Sequence, residues 1–121
     1  MATITPTTDR NTAAGAVLVT WDGMATGDSG APFGLNAAAD LTFQVTGTFG
    51  GSTVTFQGSN DGTNWHPLTQ RGGTANMAYT VASVQIAQEM PAFIRPTITG
   101  GTGSGFKVTA AVFYRYAKSP L

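Results

Sequence analysis

Apolar and polar residues alternate with a period of two along most of this chain. The clearest run is 41–49, where Leu41, Phe43, Val45 and Phe49 fall on one side and Thr42, Gln44, Thr46 and Thr48 on the other. Successive side chains of a strand point to opposite faces, so this run reads as a half-buried β-strand. Residues 16–21 repeat the pattern, with Val17, Val19 and Trp21 on one face and Leu18 opposite. Val54 and Phe56 face inward in the next strand, and Phe106, Val108, Ala110, Val112, Tyr114 and Tyr116 mark the last. Residues 92–99 form another strand, and Pro96 within it has no N–H for a ladder, which predicts an edge or a bulge. Residues 77–81 alternate, then Val84 and Ile86 change phase, which fits a bulge, a corner or two short strands. No segment carries a helical period; residues 36–39 have room for one short turn.

Turn chemistry punctuates these strands. Gly50-Gly51 ends one, and Asn60-Asp61-Gly62 ends the next and leads to Trp65. Asn, Asp and Gly tolerate the positive φ that hairpins need. Strands 41–49, 53–59 and 65–68 therefore read as a meander, with Trp65 returning to the core. Residues 22–40 read as a long Gly-rich connection, a kind of loop that is often interfacial. Residues 1–14 lack any hydrophobic period and read as an extended arm, loose or laid along a neighbour. The expected fold is all-β: an antiparallel β-sandwich, jelly-roll-like, or a small barrel. It occupies residues 15–121 as one domain, with the N-terminal arm over 1–14.

Composition narrows the function. The chain has 121 residues, 10% of them charged, with six basic and six acidic side chains. The cations are scattered, whereas nucleic-acid binding and polybasic membrane contact both need a dense patch. Neither partner is expected. There is no cysteine and no apolar run long enough for a helical membrane span. No basic n-region followed by an apolar stretch opens the sequence, so cytoplasmic synthesis without a signal peptide is expected.

Candidate chemistry is sparse. His66 is the one histidine, with Ser59 and Asp61 near it in a hairpin turn and no nucleophile-elbow motif around them. One His and no Cys cannot build a zinc site. Asp22 and Asp28, or Asn60, Asp61 and Asn64, offer oxygens for calcium, but Asp-Gly and Asn-Gly are ordinary turn residues. The acids form no paired-carboxylate motif, and the Gly runs at 71–73 and 100–105 lack the Lys-Ser/Thr of a phosphate loop. The reading is therefore no enzyme, no cofactor, no metal and no small-molecule substrate. Phe93 and Phe113 fall out of phase with the inward faces of their strands, which points to an interface or to a second covering layer.

Several blocks together carry a resemblance. Residues 21–32, Trp-Asp-Gly-Met-Ala-Thr-Gly-Asp-Ser-Gly-Ala-Pro, resemble a W-x-G-(L/M)-x-x-G-D-(S/T)-G-x-P opening found in small virion proteins of tailed bacteriophages. The likeness continues through Ala39-Asp40, residues 44–51, residues 57–65 and residues 94–101, in that order. It implies a β-sandwich virion structural protein. Within that group it is most similar to head decoration (cement) proteins, which cap the capsid exterior and clamp neighbouring major capsid subunits. The expected partners are the major capsid protein and further copies of itself, as a homotrimer. The expected location is the outer capsid surface of the virion. The candidate contact residues are Thr3, Ile4, Pro6, Met24, Asp28, Pro32, Phe33, Phe93 and Phe113. A tail, baseplate or head–tail adaptor role is the first alternative. A carbohydrate-binding module built on Asn64, Trp65 and His66 is the second.

Overall fold

The computed structural model describes residues 1–10, 12 and 15–115. Tyr116, expected at the inner face of the last strand, lies outside the described residues, as does part of the expected arm. Among the described residues twelve strands follow one another: β1 (Thr3–Ile4), β2 (Thr7–Asp9), β3 (Val17–Met24), β4 (Ser29–Gly30), β5 (Phe33–Gly34), β6 (Ala39–Thr48), β7 (Thr53–Ser59), β8 (His66–Pro67), β9 (Ala78–Tyr79), β10 (Ser83–Ile86), β11 (Phe93–Thr99) and β12 (Ser104–Tyr114). No helix occurs among the described residues. The strands form two sheets packed face to face, a β-sandwich. One sheet runs β10-β6-β12-β3-β2; the other runs β1-β4-β11-β7-β8, with β5 beside β11 and β9 beside β7.

The alternation dictates what fills the sandwich. Val17, Val19 and Trp21 of β3, Leu41, Phe43 and Val45 of β6, and Phe106, Val108, Ala110 and Val112 of β12 all point inward and are buried. Val54 and Phe56 of β7 and Ile94 and Ile98 of β11 meet them from the other sheet. Phe43 and Phe56 stack across the gap with centroids 4.6 Å apart. Such a pair adds about 0.5–1.5 kcal/mol beyond its buried area.

That stack corrects the meander. β6 and β7 belong to different sheets, so Gly50-Gly51 turns the chain across the sandwich rather than into a hairpin. Phe43 and Phe56 meet from the inner faces of the two sheets, and no ladder joins β6 to β7. The next turn does form a hairpin, with Gln57 opposite Pro67 and Gly58 opposite His66. Of the three residues expected to accommodate positive φ there, Gly62 alone adopts it, at +75°.

Pro96 corrects another expectation. Its strand, β11, is interior, paired along its length with β7. Phe56, opposite Pro96, directs its N–H to Met77 and accepts from Leu68, both on the side away from β11. The Pro96 nitrogen therefore faces the other flank, where the neighbouring strand is broken between Gly30 and Phe33. The missing donor meets a missing acceptor, and the Trp21 indole donates to the freed Ala31 carbonyl at 2.9 Å. A Cβ on Gly30 would lie 2.5 Å from the Pro96 Cδ and 2.6 Å from the Trp21 Nε1, so only glycine fits this crossing.

The 22–40 connection is thus not structureless: β4 and β5 lie within it and border β11. Residues 1–10 lie along their own domain. β1 pairs in parallel with β4 in one sheet, and β2 pairs with β3 in the other. Pro6, between them, marks the step from sheet to sheet.

Candidate interaction faces

Three loops converge on one corner of the sandwich. Thr26, Ser52, Gly100 and Gly103 come from three separate loops. The Ser52 hydroxyl lies 2.7 Å from the Gly100 carbonyl and 2.6 Å from the Thr26 hydroxyl. The Thr26 hydroxyl is 2.9 Å from the same carbonyl. The Gly103 N–H donates to both hydroxyls, at 2.9 and 3.0 Å. Ser52 is fully buried. These residues brace the fold.

The hairpin after β7 is likewise occupied by its own bonds. Asp61 Oδ1 accepts from the Thr63 and Asn64 N–H groups, both at 2.8 Å, and from the Ser59 hydroxyl. Oδ2 accepts from the Asn64 amide. The Asn64 and Thr63 backbone bonds, with smaller help from the two side chains, hold the Asp61 carboxyl well below the usual range. Ser59 Oγ accepts from the Asp61 and Gly62 N–H groups. The serine hydroxyl is thereby committed to the turn. His66 is exposed on β8 and shares the lining of a shallow cavity of about 470 Å³ with Ser59, Asn60, Asp61, Asn64 and Glu89. Among the described residues no group of three His, Cys, Asp or Glu side chains gathers.

The candidate contact residues do not form one patch. Met24 is buried in the core, so this side chain cannot meet a partner; it stands opposite Phe106 on β12. Asp28 is turned onto its own chain, accepting from the Ala2 and Ala25 N–H groups at 2.9 Å each. Thr3 and Pro32 are exposed, Pro6 is half-buried, and Ile4 and Phe33 pack partly against the core. Phe93 and Phe113 stand on the outer faces of opposite sheets.

Two outer faces remain. On the five-stranded sheet, cross-strand register aligns Leu18, Ala111, Thr42 and Ile86 in one row, and Thr20, Thr109, Gln44 and Val84 in the next. Val84 is 55% exposed and Phe113, opposite Asp40, is 43% exposed. Charge gathers at one margin, where Asp40 accepts from Arg71 at 2.8 Å and Arg115 at 2.9 Å. Those arginine bonds, Arg71 first, lower the Asp40 carboxyl from its ordinary value. The phase change at residue 84 thus turns Val84 and Ile86 outward, beside Gln44 and Thr42.

The outer face of the seven-stranded sheet carries Phe93, Arg95 and Thr97 of β11 beside Thr55 and Gln57 of β7. Trp65 lies here and not in the core, which corrects its expected place. Its ring is half-buried under the Arg95 guanidinium, whose carbon sits 4.3 Å from the ring centroid. Parity explains the difference. Leu68 is the inward residue of this segment, and Trp65, three positions earlier, has the opposite phase in an extended chain.

Comparison with protein-family models, with curated proteins and with solved structures gave no match. The fold and its two outer faces define the class: an antiparallel β-sandwich.

Proposed function

We propose that this chain is a structural component of a tailed-bacteriophage particle: a head decoration protein that binds the capsid exterior and reinforces contacts between major capsid subunits. It acts by binding and not by catalysis, as a homotrimer bound to the major capsid protein. It is made in the host cytoplasm and ends on the virion surface. The observation that carries the reading is the outer face of the five-stranded sheet, where Leu18, Ala111 and Phe113 lie on one side of Thr42 and Gln44, Val84 and Ile86 lie on the other, and Val84 and Phe113 are exposed. Large apolar side chains exposed on one sheet face point to an interaction site. The ordered phage-like blocks supply the kind of partner.

The test is co-sedimentation of purified protein with expanded capsids, followed by thermal challenge. Saturable binding with raised heat resistance supports the reading; neither binding nor protection removes it. A second reading, carbohydrate binding, gains from the surface position of Trp65, although Arg95 occupies one face of its ring. A glycan array without hits removes that alternative.

A further inference from the structure

The Arg95 guanidinium stands apart among the described cations in lying over an aromatic ring. It is half-buried, stacked on Trp65, and its Nε donates to Gln57 Oε1 at 2.9 Å. No carboxylate pairs with it among the described residues. The acids are engaged elsewhere or distant in the fold. Asp61 is consumed by its hairpin, Glu89 accepts from the Thr69 N–H, Asp28 clamps the N-terminal segment, Asp40 holds Arg71 and Arg115, and Asp9, on β2 of the other sheet, accepts from the Thr12 N–H. Asp22 stands on β3 in the other sheet, opposite Lys107. Burial lowers the Arg95 pKa from its ordinary value, the mark of a cation losing solvent without gaining a counter-charge.

The surroundings fix the direction of this group. Gln57 takes Nε and Trp65 takes one face of the plane, which leaves the two terminal nitrogens, a fork suited to two-pronged binding of a carboxylate. Phe93 lies two residues away on the same face, its ring close to Gly34 and Gly62. Arginine and tryptophan beside a second aromatic, on a face that also carries Thr55, Gln57 and Thr97, is the composition of an interface hot spot.

We infer that the outer face of the seven-stranded sheet around Arg95, Trp65 and Phe93 docks an extended protein segment that presents an Asp or Glu side chain to the Arg95 guanidinium. Charge complementarity selects that occupant: the unmatched group is a planar cation, and the flanking aromatic supplies apolar contact for the stem of the acid. The inference rests on the assembly reading only for whose segment it is.

The test uses the full chain labelled with ¹⁵N and a pool of capped ten-residue peptides, each with one central Glu among β-branched residues, beside Gln twins. The Glu peptides are expected to move the Arg95 Nε–H and Trp65 indole resonances. The Trp21 indole, buried and bonded to Ala31, should stay still as an internal control. Gln twins are expected to bind at least about tenfold more weakly, the usual gap between charge-assisted and neutral hydrogen bonds. Arg95→Lys should weaken Glu-peptide binding several-fold while leaving the melting temperature close to wild type. Equal response to Glu and Gln peptides, no response at millimolar peptide, or movement of Trp65 only by a linear hexasaccharide overturns the inference. Capsid binding that survives such a result leaves the assembly reading standing, so the two fail separately.

Discussion

The corner built by Thr26, Ser52, Gly100 and Gly103 yields a sharp prediction because its two hydroxyls duplicate each other. In Ser52→Ala, the Gly103 N–H keeps Thr26 Oγ1 at 3.0 Å, and the Gly100 carbonyl keeps the same hydroxyl at 2.9 Å. In Thr26→Val, Ser52 Oγ serves both groups, at 2.9 and 2.7 Å. Each single change should therefore cost about 1 kcal/mol, the net value of one hydrogen bond. The double variant differs in kind. Gly103 is buried, and its N–H loses both acceptors together. A buried donor left unpaired costs a further ~1–3 kcal/mol. The double variant should thus lose about 3–5 kcal/mol, exceeding the sum of the singles by at least ~1 kcal/mol. Urea denaturation of the four proteins, read as a double-mutant cycle, measures that coupling. Additivity within about 0.5 kcal/mol would refute the reasoning. It would mean that the two hydroxyls of this corner do not serve as interchangeable acceptors for the Gly103 N–H.

Other expectations follow from the same geometry. Phe56→Ala removes a fully buried ring from the inter-sheet stack and should cost about 3–5 kcal/mol in chemical denaturation, whereas exposed Phe113→Ser should stay within about 0.5 kcal/mol yet weaken capsid co-sedimentation. Gly101→Ala places a Cβ 2.4 Å from the Gly51 carbonyl carbon at a φ of +59°, so it should lower the melting temperature more than Gly72→Ala, where φ is also positive but nothing lies within 4 Å. Asp61 has a folded-state pKa below its unfolded value of about 3.9, so its contribution is present above that pH and is lost as pH falls through the folded value. Stability of the wild type should therefore decline on acidification below about pH 4, and Asp61→Asn should decline less steeply in the same melts.

The strands and the core were legible wherever side-chain alternation alone decided them. Leu41, Phe43 and Val45 point inward because a period of two leaves no other arrangement. What alternation cannot specify is which sheet a strand joins. Gly50-Gly51 permits a hairpin and an inter-sheet crossing equally, and the Phe43–Phe56 stack, a long-range contact, selects the crossing. Pro96 was misplaced for a related reason. An edge is the default site for a residue without an N–H, but a break in the neighbouring strand meets the same need inside a sheet. The short strands β4 and β5, each of two residues, carry too little pattern to show above their glycines.

Of the candidate surface, Phe113 and Phe93 were readable from phase alone. Met24 was not, because the bulge at Gly23, with φ +75° and no partner between the Asp22–Lys107 and Met24–Phe106 pairs, resets the phase of β3 at its end. Arg95 and Trp65 were both accessible in principle. Arg95 shares its phase with Phe93 and Thr97, and Trp65 is out of phase with Leu68. Their stacking joins β11 to the β7–β8 connection, and no local pattern records that meeting.

The most direct test of the assembly account is the copy number of this chain in virions purified from a phage that encodes it, measured by quantitative mass spectrometry against the major capsid protein. The account predicts hundreds of copies per particle. Six or twelve copies would place the chain in the tail or neck, and its absence from purified particles would contradict the account outright.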